Sequence, residues 1–93
     1  MQTPKELYLA QIKGRIGSYV ERESEPLSKL VRYIRTMCER RGINWEDIRK
    51  ILKEVWEERV KRYLDPSRGV FYQPKRKERF ESLCRELSIK FEF

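Results

Sequence analysis

The sequence predicts a mainly α fold, a small four-helix domain with one or two short β-strands at its C-terminal end. Three observations predict it. Apolar residues recur at helical spacing in four separate stretches, the pattern of amphipathic helices sharing a core. Start and stop residues fall between those stretches: Pro4, Pro26, Gly42, Asn44 and Pro66. Near the C-terminus the period changes to two, as Ile89, Phe91 and Phe93 alternate with Lys90 and Glu92, the mark of a half-buried strand. Ninety-three residues make one domain with one modest core, so residues 1–93 are read as a single basic helical domain.

The first helix spans residues 4–22. Pro4 suits its first turn, and Leu9, Ile12, Ile16, Tyr19 and Val20 form its apolar side. Gly14 and Gly17 are three apart and share a face, so either another helix crosses closely there or the helix breaks. A second helix opens at Ser24-Glu25-Pro26 and runs to Arg41, with Leu27, Leu30, Val31, Ile34, Met37 and Cys38 in one stripe. Gly42 is its stop. Its opposite face carries Lys29, Arg32, Arg35 and Arg40, with Glu39 as the sole acid.

The third helix, residues 45–64, is expected to organise the rest. Trp45, Ile48, Ile51, Leu52, Val55, Trp56, Val60, Tyr63 and Leu64 cover about half its circumference, wide enough for contact from two sides. Asn44 is a good N-cap, Glu46 and Asp47 favour the positive end of the helix dipole, and Asp65-Pro66 ends it. The pairs Glu46/Lys50, Glu57/Lys61 and Glu58/Arg62 have the favourable spacing. Arg59 alone does not fit, because it falls inside the apolar stripe. Its stem is expected to pack while its head reaches water or an acid on another helix; the alternative is a buried anion contact.

The junction of helices two and three has a small residue, Cys38, then Gly42, then Ile43, Ile48 and Ile51. Over residues 34–52 this spacing resembles the helix-turn-helix motif. The resemblance implies a helix-turn-helix-like core with Asn44, Arg49, Lys50 and Lys53 near a groove, although Glu46 and Asp47 would then face phosphate. The following segment, residues 67–77, mixes Arg68, Lys75, Arg76 and Lys77 with Phe71 and Tyr72, the ingredients of base stacking beside phosphate contacts. Val70, Phe71 and Tyr72 are expected to form a short strand closing the core, and the Lys75-Arg76-Lys77 cluster to be functional. Residues 76–87 make the last helix, with Phe80, Leu83, Cys84 and Leu87 inward. The C-terminal strand pairs either with residues 70–73 or with a second copy of itself, which would make a homodimer.

Lys+Arg 22 against Asp+Glu 15 gives a net charge of +7, which favours an acidic partner. No apolar run is long enough to span a bilayer, and the segment MQTPKELYLAQIKGRIG lacks a signal peptide's apolar core. The expectation is an intracellular, cytoplasmic protein that uses no membrane. Many charges with one Asn and three Gln are a thermophile-like composition. With no histidine, the usual general base and histidine metal sites are excluded; no enzyme, cofactor or small-molecule substrate is expected. Cys38 and Cys84 are expected as free buried thiols rather than a disulfide.

These readings converge on a small nucleic-acid-binding protein acting on DNA. Its expected contacts are Lys29, Arg32, Arg35, Arg40, Arg68, Lys75, Arg76 and Lys77. The alternative is an assembly module that homodimerises through its C-terminal strand.

Overall fold

The computed structural model describes residues 3–90, 92 and 93. Helix α1 is Pro4–Arg22. The Thr3 hydroxyl accepts from the Glu6 amide at 3.2 Å, and Glu23 closes the helix in the left-handed region, φ 50°, donating to the Tyr19 carbonyl. The helix passes unbroken through both glycines. A Cβ on Gly14 would meet nothing within 4 Å, and one on Gly17 would lie 3.5 Å from Arg59 Nε, ordinary contact. Gly14→Ala is therefore expected to stabilise the fold by about 0.5–1 kcal/mol, since glycine there only adds unfolded-state freedom. A chemical denaturation midpoint that stayed put or fell would contradict this.

Helix α2 is Leu27–Arg40, with Leu30, Val31, Ile34 and Met37 buried. Neither Ser24 nor Glu25 caps it. The Glu25 carboxylate instead takes the Arg15 guanidinium in a two-pronged pair, which holds the Glu25 pKa below the ordinary carboxylate value. The turn runs through Gly42, φ +67°, and buried Ile43. Helix α3, Trp45–Val55, opens with a reciprocal cap. Asn44 Oδ1 accepts from the Asp47 amide at 2.9 Å, and Asp47 Oδ2 accepts from the Asn44 amide at 3.2 Å.

Beyond Val55 the chain keeps coiling but leaves the α geometry. Trp56–Val60 is a π turn and Lys61–Tyr63 a 3-10 turn. This resolves the misfit at Arg59. An α-helix would centre Arg59 on the buried stripe and leave Val60 at its edge. The wider π turn sets the following side chains back by about 100°. Val60 is then fully buried and Arg59 exits at the rim, across Gly17, to pair with Glu21. The same shift separates Glu58 from Arg62, and Glu58 pairs with Lys13 at 3.2 Å instead. A 3-10 segment, Pro66–Phe71, leads to helix α4, Lys75–Glu86.

The ion pairs and side-chain bonds between helices give their directions. Lys5–Asp47, Lys13–Glu54 and Arg59–Glu21 align α3 parallel to α1. Arg15 over the Tyr33 ring and Arg41 over the Tyr8 ring set α2 antiparallel to it. Arg79 Nη1 donates to the Val20 and Glu21 carbonyls, and Arg35 Nη2 donates to the Glu86 carbonyl. Helix α4 thus runs alongside α2 in an up-down-up-down bundle. The central helix is α1, which packs against α2, α3 and α4; the third helix, expected to fill that place, packs on α1 and, through its π turn, on α4. One core joins all of them, with Ile12, Ile16, Leu30, Ile34, Ile48, Leu52, Phe80 and Leu83 fully buried.

The expected strands do not form: among the described residues there is none. Ser88, φ 57°, turns the chain at the end of α4, and the Ile89 amide donates back to the Cys84 carbonyl at 2.9 Å. This Schellman-type stop drives Ile89 into the core, and Phe93 packs edge-on against Phe80 with ring centroids 5.3 Å apart. Phe91 lies outside the described residues. Residues 70–72 are not a core strand either, because Val70, Phe71 and Tyr72 are exposed. Among the described residues no helix is long and apolar enough to cross a membrane.

Candidate nucleic-acid interface

The bundle end where α1 and α3 finish and α2 and α4 begin carries several exposed cations without an ion pair among the described residues: Lys29, Arg32, Arg62, Arg68 and Lys75. On α2 the buried stripe leaves Lys29, Arg32, Arg35 and Arg40 exposed. Lys29 and Arg32 sit toward this end, and Arg40 lies at the other. Lys29, Arg32 and Arg40 make no ion pair among the described residues. Arg35 is committed to the fold, since it caps the last turn of α4 through its 2.9 Å bond to Glu86.

The segment from Leu64 to Pro74 crosses this end. Asp65 opens it by accepting from the Ser67 amide at 3.0 Å and its hydroxyl at 2.8 Å, bonds that lower the Asp65 pKa. Gly69 then takes φ 62°, ψ −118°, a conformation side chains disfavour. The turn swings Val70, Phe71 and Tyr72 outward, 82%, 53% and 41% exposed. One edge of Phe71 rests on Tyr63, with centroids 6.5 Å apart, and the Arg68 guanidinium stands 5.8 Å from the Phe71 ring.

The base of this loop is pinned. The Gln73 amide donates to the Tyr63 carbonyl at 2.8 Å, and Gln73 Nε2 donates to the Val70 carbonyl at 3.2 Å. Arg76 then ties the loop to the bundle. Its Nε donates to Gln73 Oε1 at 2.9 Å, its Nη1 donates to the Arg59 carbonyl at 3.0 Å, and its guanidinium lies 3.7 Å above the Tyr63 ring. The π and 3-10 turns leave backbone carbonyls without regular helical donors, and Arg76 satisfies that of Arg59. Its side chain is only 11% exposed.

The three consecutive cations therefore divide. Lys75 points to solvent with no ion pair among the described residues, Arg76 is internal, and Lys77 pairs with Glu81 at 3.7 Å. Arg68 likewise makes no ion pair there. Arg62, expected from its spacing to pair with Glu58, joins this set because the π turn takes Glu58 away to Lys13; that turn is announced only by the misplaced Arg59.

The α2–α3 junction supports the helix-turn-helix resemblance less well. Both helices pack on α1, whereas the motif packs them on each other. Asn44 is occupied by its cap, and Arg49 pairs with Glu46 at 3.5 Å. The exposed face of α3 alternates Glu46, Glu54 and Glu57 with Lys50 and Lys53, a mixed surface.

Other chemistry is sparse. Both cysteines are free, and burial pushes the Cys84 thiol to about 11, far from a reactive thiolate. Among the described residues no cluster of metal-ligating side chains forms. A groove of about 600 Å³ between α1 and α2 is crossed by the Arg15–Glu25 pair, so its charges are already matched. No family model, curated protein or solved structure matches the chain.

Proposed function

We propose that this protein binds nucleic acid, DNA in the first instance, with the end of the bundle formed by the start of α2 and the loop before α4. The observation that carries the reading is the exposed pair Phe71 and Tyr72 flanked in the chain by Arg68 and Lys75, exposed cations that make no ion pair among the described residues, with only the charge of Asp65 acting on Arg68 from nearby. Aromatic faces next to unpaired cations suit bases and phosphates together. Lys29 and Arg32 extend the positive surface along α2, and a net charge of +7 supports attraction over a longer range.

Each phosphate neutralised releases condensed counterions, so affinity must depend on salt. Contacts from Lys29, Arg32, Arg68 and Lys75 predict a slope of log affinity against log salt of about −2 to −4. Fluorescence anisotropy with labelled oligonucleotides across a salt series measures it. Absence of binding at about 50 mM salt would end the nucleic-acid reading. Homodimerisation through a C-terminal strand is the weaker reading, because Ile89 is buried in the protomer's own core and Phe93 packs against it.

A further inference from the structure

We infer that the strand this end accepts is single and unpaired, with adjacent bases stacking on Phe71 and Tyr72. The inference rests on the nucleic-acid reading and names its substrate. In a duplex the faces of the bases are covered by their neighbours, and proteins reach only base edges in the grooves. An aromatic side chain at a loop tip can cover a base only where that base is unstacked.

The tip has the two properties that stacking needs. The first is open aromatic surface. Phe71 and Tyr72 are 53% and 41% exposed, next to Val70 at 82%, an apolar patch of consecutive residues on a chain that is 40% charged. Such a patch in a polar surround marks an interaction site. The second is rigidity. Asp65, Gln73 and Arg76 fix both ends of the loop through the bonds described above, and Tyr63 supports one edge of Phe71. A platform already held in shape loses little freedom on binding.

Charge selects the occupant. Arg62, Arg68 and Lys75 flank the tip in the chain, are exposed, and make no ion pair among the described residues. The acid within the loop, Asp65, accepts from Ser67 and offsets only Arg68 in part, through its nearby charge. Glu21, behind the loop, is held by Arg59 and lies 3.9 Å from Arg76. An apolar peptide would meet these cations without compensation, whereas a single strand supplies a phosphate beside every base.

The test compares a labelled oligothymidine of about a dozen nucleotides, a length within the usual site sizes, with a duplex of equal length. Vesicles of mixed neutral and anionic lipid form a third arm. The expected result is oligothymidine binding tighter than duplex by about tenfold or more. Phe71→Ala and Tyr72→Ala should each weaken it by about fivefold or more while duplex affinity stays within about twofold, and Tyr72→Phe should retain it. Both side chains are exposed, so the variants should fold, which circular dichroism checks. Equal binding to both oligonucleotides, unaffected by Phe71→Ala, would overturn single-strand recognition and leave general nucleic-acid binding standing. Binding to neither would remove both readings. Phe71-dependent binding to vesicles without oligonucleotide binding would assign the tip to a membrane surface instead.

Discussion

Phe80→Ala is expected to cost about 3–5 kcal/mol of folding stability, the largest effect of any single truncation in the bundle. Phe80 is fully buried. It stands between Trp56 on the π turn, with ring centroids 5.5 Å apart, and Phe93 of the tail at 5.3 Å. Removing it opens a cavity where α4, the π turn and the tail meet, with no neighbouring element free to fill it. A domain of this size has about 5–15 kcal/mol in all, so the variant should be close to unfolding at ordinary temperature. Phe93→Ala, by contrast, removes a half-buried ring and an aromatic contact worth about 0.5–1.5 kcal/mol beyond its area. Urea denaturation followed by circular dichroism separates the two. Similar small losses for both would show that the tail does not seal the core as described.

Reversing four charges at once, Lys29→Glu, Arg32→Glu, Arg68→Glu and Lys75→Glu, should have the largest effect on function. Each of these cations is exposed and without an ion pair among the described residues. Stability should therefore stay within about 0.5 kcal/mol per substitution, while oligonucleotide affinity falls by about 100-fold or more and the salt slope collapses. A control variant reverses four other cations, Arg49, Lys50, Lys53 and Lys61, and so changes total charge equally. It should lose far less affinity, since those residues sit among Glu46, Glu54 and Glu57. Equal losses in both variants would mean that only net charge matters and that no interface exists at the loop end.

The helices were legible because their signals are local. The α2 stripe predicted its buried side, and Asn44 with Asp47 behaves as the cap its chemistry suggests. The central place of α1 was not legible. Its weight comes from contact on several sides, while Gly14 and Gly17 blunt the apolar pattern that would advertise it. The alternation of Ile89, Phe91 and Phe93 imitates a strand, yet the left-handed Ser88 decides the path of the tail by a backbone bond that periodicity does not register.

At the candidate interface, Lys75, Arg76 and Lys77 look alike in sequence. Their fates differ because consecutive helical residues point about 100° apart, so one faces solvent, one faces the loop base and one meets Glu81. Val70, Phe71 and Tyr72 have the composition of a strand, and only the Gly69 conformation turns them outward. Arg59 was the one sequence-level sign of the π turn, an arginine where the α period demands an apolar residue.

The proposed nucleic-acid interface is the end of the bundle formed by the start of α2 and the loop before α4. A titration of isotope-labelled protein with a short oligothymidine, followed residue by residue in amide nuclear magnetic resonance spectra, tests that claim most directly. The predicted result is a cluster of progressive shifts at Lys29, Arg32, Arg68 through Tyr72, and Lys75, with α3 from Glu46 to Lys53 unmoved. Shifts confined to that α3 face, or none anywhere at millimolar oligonucleotide, would contradict it.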